Sequence, residues 1–153
     1  MKKLIILSGL LLFCVVSFAQ HKGMQGDFEK FKSQKISFMT EKMELSPEEA
    51  QKFWPIYNEF EEKRMNIFKT RKELEDKVND NYTKFSENEF KKLSYEIVDL
   101  HVKEAGLLKE YHEKFLRLLP AKKVVIIGLL ENEFRFKMIR EFRQRERENE
   151  NKK

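Results

Sequence analysis

Cysteine is nearly missing from this chain. The one present, Cys14, sits inside an apolar N-terminal run, behind a bulky Phe13 where a lipoprotein signal wants a small residue. Once that run is removed no cysteine remains, which excludes disulfides, thiol catalysis and cysteine-ligated zinc in one step. Glycine is scarce as well, with 5 residues, and none forms a Gly-rich phosphate loop; a nucleophile-elbow serine motif and a His-Glu-x-x-His zinc helix are also lacking. The 3 histidines are His21, His101 and His112. The last two are 11 residues apart, about 16 Å along a helix axis, too far to share one ion. Adjacent acids such as Glu48 and Glu49, or Glu61 and Glu62, point away from each other on a helix and make no acid–base pair. No catalytic residue, metal site or cofactor is therefore expected, and the chain reads as a protein that is not an enzyme.

An excess of one charge is lacking too. The formal charge is +5, and Lys2 and Lys3 supply two of the positives. The remaining basic and acidic side chains interleave along the sequence, as on solvated helix faces with i,i+4 pairs, and no nucleic-acid surface is expected. The 153 residues suit one domain with a modest core. Residues 1–19 have a basic start, an apolar run from Leu4 to Phe18, and small residues at Ser17 and Ala19, as in a cleaved secretory leader. The run is short of the ~20 apolar residues a membrane span needs, so no transmembrane segment is expected after cleavage before Gln20. Residues 20–26 carry Gly23 and Gly26 and no apolar periodicity, which predicts a flexible arm.

The strongest signal is a helix start. Ser46 can cap with its hydroxyl, Pro47 fits the first helical position, and Glu49 closes a capping box. From there Phe53, Tyr57, Phe60, Arg64, Ile67, Arg71, Leu74 and Val78 follow steps of four and three, a heptad seam. Pro55 lies within it, which predicts a bend near Gln51 to Trp54. Residues 79–85 break the pattern, and Ser86 with Glu89 makes a second capping box. A second seam through Phe90, Leu93, Ile97, Leu100, Glu104, Leu107, Tyr111, Phe115 and Leu118 ends at Pro120. The pattern predicts an all-α fold of about four helices: a short helix carrying Phe28, Phe31, Ile36, Met39 and Met43, a long antiparallel hairpin, and a C-terminal helix after Pro120. The helical domain spans 27–142, and the charged stretch 143–153 is expected to fray.

Three contacts follow from this pattern. If the hairpin turns about Asn79 to Phe85, Arg64 meets Glu104 in a salt bridge that fixes the register. The run Val124 to Leu130 is apolar on all sides and needs more than one neighbour. Ile126, Ile127 and Leu130 are accordingly candidates for a symmetric dimer contact, with the first helix as the alternative cover. The aromatics Phe53, Trp54, Tyr57 and Phe60 occupy more than one helix face, part core and part available to a partner.

These features resemble the LTxxQ family of exported, all-helical proteins of the Spy and CpxP type. The resemblance rests on the leader, on Leu45-Ser46-Pro47-Glu48-Glu49-Ala50-Gln51 opening a long helix, on a second Leu-x-Pro start at Leu118 to Pro120, and on the hairpin, and it covers most of the mature chain. The continuation Phe53-Trp54-Pro55-Ile56-Tyr57 resembles the Bacteroidetes-type version. The resemblance implies a periplasmic, ATP-independent chaperone or stress adaptor, often a homodimer. Unfolded or partner polypeptides would be held by the region from Leu45, Ser46, Pro47, Glu49 and Gln51 through Phe53, Trp54, Tyr57 and Phe60. Two alternatives come with it: a sensor or adaptor linked to an extracytoplasmic sigma factor, and a metal-responsive sensor using His21, His101, His112, Met24, Met39 and Met43.

Overall fold

A computed structural model describes residues 29–151. The expected leader, the arm with His21 and Met24, and the expected helix start at Asp27 and Phe28 lie outside these residues. Among the described residues the fold is all-α. Helix α1 covers 29–42, and Pro47–Asn81 (α2), Glu87–Leu118 (α3), Ala121–Val124 (α4) and Ile127–Glu150 (α5) follow. Where composition suggested one domain, the chain divides into two compact units: Leu45–Gly128, and Met1–Glu44 together with Leu129–Lys153.

The first of these is built on the α2–α3 hairpin. Both long helices begin as their sequences dictate. The Ser46 N–H donates to Glu49 Oε2 at 2.8 Å and the Glu49 N–H to Ser46 Oγ at 3.2 Å; Ser86 and Glu89 repeat the arrangement at 2.7 and 3.4 Å. Each box satisfies amide donors that have no partner within the helix. Pro55 does not interrupt α2, which runs on to Asn81. In the connection, the Phe90 ring meets Tyr82 and Phe85 at 5.2 and 5.7 Å, holding the turn to the start of α3. Phe53, Tyr57 and Phe60 of α2 interleave with Tyr111 and Phe115 of α3, all almost fully buried. Phe115 is the centre of this cluster, 5.3 Å from Phe53 and 6.0 Å from Phe60 between ring centroids, in the tilted and edge-on geometries that aromatic quadrupoles favour.

The segment after Pro120 differs from the continuous helix that its apolar run suggests. One turn, α4, stops at Val124, and α5 starts afresh at Ile127. Val124, Val125, Ile126 and Ile127 are four β-branched residues in succession, each stiff at χ1 and crowded against the preceding turn, so the helix is weakest there.

In the second unit, α1 packs on α5. Phe31 and Phe38 stand 5.1 and 5.5 Å from the Phe134 ring, and Lys42 pairs with Glu133 at 3.6 Å. Beyond Arg143, where fraying was expected, α5 stays helical to Glu150. Its charges account for the difference: Arg145 meets Glu141 at 3.5 Å, Gln144 meets Glu148 at 3.1 Å, and Arg147 lies in the last turn, where a cation suits the helix dipole.

Candidate functional site

The stretch expected to bind polypeptides divides sharply by burial. Leu45, Phe53, Tyr57 and Phe60 are core residues, Trp54 is half-buried against Phe53 and Tyr57, and Ser46, Pro47 and Gln51 are exposed. The aromatics so prominent in the sequence therefore hold the hairpin together and leave little ring surface for a partner. Glu49 does more than cap. Its Oε2 also accepts from Lys123 Nζ at 2.7 Å, tying the start of α2 to α4. The two Leu-x-Pro starts, far apart in sequence, thus meet through one ion pair, which sequence reasoning missed. The hydrogen bond from Lys123, with a second from the Ser46 backbone, holds the Glu49 carboxyl below its ordinary value.

The expected Arg64–Glu104 bridge is corrected. Glu104 pairs with Arg71 at 2.7 Å, Arg71 also reaches His101 Nδ1 at 3.3 Å, and Arg64 pairs with Glu61 of its own helix. Arg71 lies on the same seam as Arg64, one heptad further on. A slide of one heptad along the seam keeps its apolar positions in place, so the pairing can move from Arg64 to Arg71 without disturbing the core. Arg71 and Glu104 are partly shielded, with side chains 15 and 32% exposed, so the pair is set in place more firmly than a surface ion pair.

Two grooves flank the α2–α3 seam. One, of about 430 Å³, is lined by Ile67, Leu100 and Leu107 together with Lys63, Asn66, Thr70, Lys103 and Glu110. The other, of about 270 Å³, is lined by Phe60, Arg64, His101, Glu104, Ala105 and Leu108. At 100° per residue, Val98, Val102, Leu108, His112 and Leu116 all fall within about 60° of Ala105. Lys92, Glu96, Asp99, Lys103, Glu110, Lys114 and Arg117 lie about 120° or more away. On α2, Met65 and Phe68 fall on the Arg64 side of the seam. Met65, Phe68, Val98, Val102, Leu108 and Leu116 are all exposed, Val102 by 65%. On α3 this side is mainly apolar, interrupted by Glu87, Lys91 and Lys109, and on α2 Met65 and Phe68 stand among Glu61, Arg64 and Glu75; the other side is charged. The signal for this second stripe was present in the sequence, but the stronger aromatic seam beside it masked it.

Of the three expected dimer contacts, two are buried in the single chain. Ile127 and Leu130 are each 7% exposed within the single chain, and Ile126 is half-buried. Within that run Val125, Gly128 and Leu129 are exposed. Met39 and Met43, two of the residues assigned to a metal sensor, are buried. His101 is engaged with Arg71, and His112 lies on the apolar side of the hairpin. Among the described residues no three His, Cys, Asp or Glu side chains come together as an ion-holding group. No helix among them is long and apolar enough to cross a membrane. No family model, curated protein or solved structure matches this chain.

Proposed function

We propose that this chain is an exported, ATP-independent chaperone-like protein that holds unfolded or partner polypeptides under envelope stress. The observation that carries the reading is the set of large apolar side chains left exposed on one side of the hairpin: Met65 and Phe68 of α2, and Val98, Val102, Leu108 and Leu116 of α3. An aliphatic surface with scattered cations offers many weak, non-directional contacts to an extended chain and few geometric demands, which suits loose and reversible holding. Contiguous exposed apolar surface of this kind marks interaction sites more often than it occurs by chance. The residues that do the holding differ from those the resemblance implied. The aromatic cluster is the scaffold, and the aliphatic stripe beside it is the contact surface. The sigma-factor adaptor reading would use the same surface for one defined partner, whereas the breadth and shallowness of the stripe favour varied clients.

The test is a thermally aggregating client incubated with the chain and no nucleotide, followed by light scattering. Wild type at several-fold excess suppresses scattering, and a Met65→Ser/Val98→Ser/Leu108→Ser variant loses most of that suppression while keeping its thermal midpoint, since all three positions are exposed. Unchanged scattering with wild type, or equal suppression by the variant, sinks the reading.

A further inference from the structure

Helix α5 is apolar on two opposite faces. Phe134, 2% exposed, turns toward Phe31 and Phe38 of α1. On the far side Phe136, Ile139 and Phe142 stand 56, 40 and 61% exposed. At 100° per residue, Phe136 and Phe142 lie about 60° either side of Ile139, and Phe134 about 140° away, so the second stripe is distinct from the packed one. Arginines border it. Arg135 and Arg143 fall within about 40° of Ile139, with Arg147 and Arg140 a little further round, while two acids, Glu146 and Glu150, lie about 20° from it on the turns beyond Phe142. Between Arg135 and Arg145 the helix carries Arg135, Lys137, Arg140, Arg143 and Arg145 against the single acid Glu141, and Glu141 is engaged by Arg145. Arg140 and Arg143 make no ion pair among the described residues.

We propose that this face of α5 docks the protein onto an anionic lipid bilayer surface. Phe136, Ile139 and Phe142 enter the headgroup boundary, and the flanking arginines meet lipid phosphates. Charge complementarity selects the partner: the net-positive stretch 135–145, with apolar side chains and guanidinium groups sharing one face, matches an interface that is anionic outside and apolar a few ångströms further in. Arginine suits this role because its planar fork pairs with two phosphate oxygens at once. An apolar partner helix would gain little from Arg140 and Arg143, which make no ion pair among the described residues. The contact is interfacial, because no described helix is long and apolar enough to span a bilayer. It uses a different helix from the polypeptide-binding stripe and does not depend on that reading.

The experiment uses the chain from Gln20 onward, so that the apolar run Leu4 to Phe18 cannot act as a competing lipid anchor. Co-sedimentation with phosphatidylglycerol vesicles is compared with phosphatidylcholine vesicles, alongside an Arg140→Glu/Arg143→Glu variant and a Phe136→Ser/Phe142→Ser variant. All four positions are exposed, and circular dichroism verifies that helicity is unchanged. Binding to phosphatidylglycerol alone, weakened by added salt and reduced about tenfold or more by each variant, is the expected result. Four outcomes overturn the proposal: no sedimentation with either vesicle, equal binding to both, full binding by the ring variant, or tighter binding to a single-stranded RNA homopolymer than to phosphatidylglycerol vesicles.

Discussion

At the scale of the residue, Phe115 and Glu49 carry the hairpin by different physics. Phe115 is 3% exposed and touches the rings of Phe53, Tyr57, Phe60 and Tyr111. Phe115→Ala removes the hub of the cluster and leaves a cavity its rigid neighbours cannot fill, so it should cost about 3–5 kcal/mol, read as a lowered urea midpoint. Glu49 acts through charge. Its folded-state carboxyl is held below its ordinary value of 4.5, first by Lys123 and then by the Ser46 backbone. A depressed carboxylate contributes stability above its unfolded value and loses it as pH falls through its folded one. Glu49→Gln keeps the capping geometry and deletes the charge. The variant should therefore be less stable than wild type at pH 7, and the gap between their urea midpoints should close as the pH drops below about 4.5; a gap that stays constant with pH would assign Glu49 a purely geometric role. The seam residues that form this core were legible in the sequence because the four-and-three spacing names them on both helices. The register was not. Sliding one heptad preserves every apolar position on a seam, so spacing alone does not choose between Arg64 and Arg71 as the partner of Glu104.

At the scale of the element, starts were far more legible than ends. Ser46 with Glu49 and Ser86 with Glu89 announce α2 and α3 through short-range hydrogen bonds between residues three apart, which a sequence displays directly. The break between α4 and α5 comes from accumulated β-branching, a weaker signal that the apolar run of the same segment obscured. The persistence of α5 to Glu150 depends on i,i+4 pairing within a stretch whose composition alone reads as disordered. The apolar side of the hairpin was hidden for a third reason: two apolar stripes on α3 stand side by side, and the more regular one was read as the whole pattern. Pro55 tests how far α2 is shaped by its seam. The ring removes the N–H that would reach the Gln51 carbonyl, yet the helix runs on without interruption. Pro55 is exposed, so Pro55→Ala restores a donor at no cost in packing and should stabilise the protein by about 1–3 kcal/mol, raising the thermal midpoint. A lowered midpoint would mean that the proline sets the angle at which Phe53 meets Phe115.

At the scale of the whole molecule, the burial of Ile127 decides what a charge placed there would do. Had Ile127 faced a second subunit, Ile127→Asp would yield folded monomers. At 7% exposure within one chain, it instead places an unpaired carboxylate in an apolar setting, and the expected loss of stability, several kcal/mol, is independent of protein concentration. The division into two units leads to a stronger prediction. Both capping boxes, the Phe53–Tyr57–Phe60–Tyr111–Phe115 cluster, the Arg71–Glu104 pair and the Glu49–Lys123 pair all lie inside Leu45–Gly128. The long helices of that unit satisfy amide donors at both starts, and both of these inter-helix ion pairs are internal. A chain cut to Leu45–Gly128 should therefore fold alone: highly helical by circular dichroism, with a single cooperative urea transition followed identically by circular dichroism and by Trp54 fluorescence. Phe115→Ala in that fragment should lower its midpoint as it does in the intact chain, because every ring it loses is present in both. A fragment that is helical yet melts without cooperativity would show that the aromatic seam needs the second unit to lock its packing. The pairs at Glu49 and Arg71 would then serve to orient the hairpin without sustaining it.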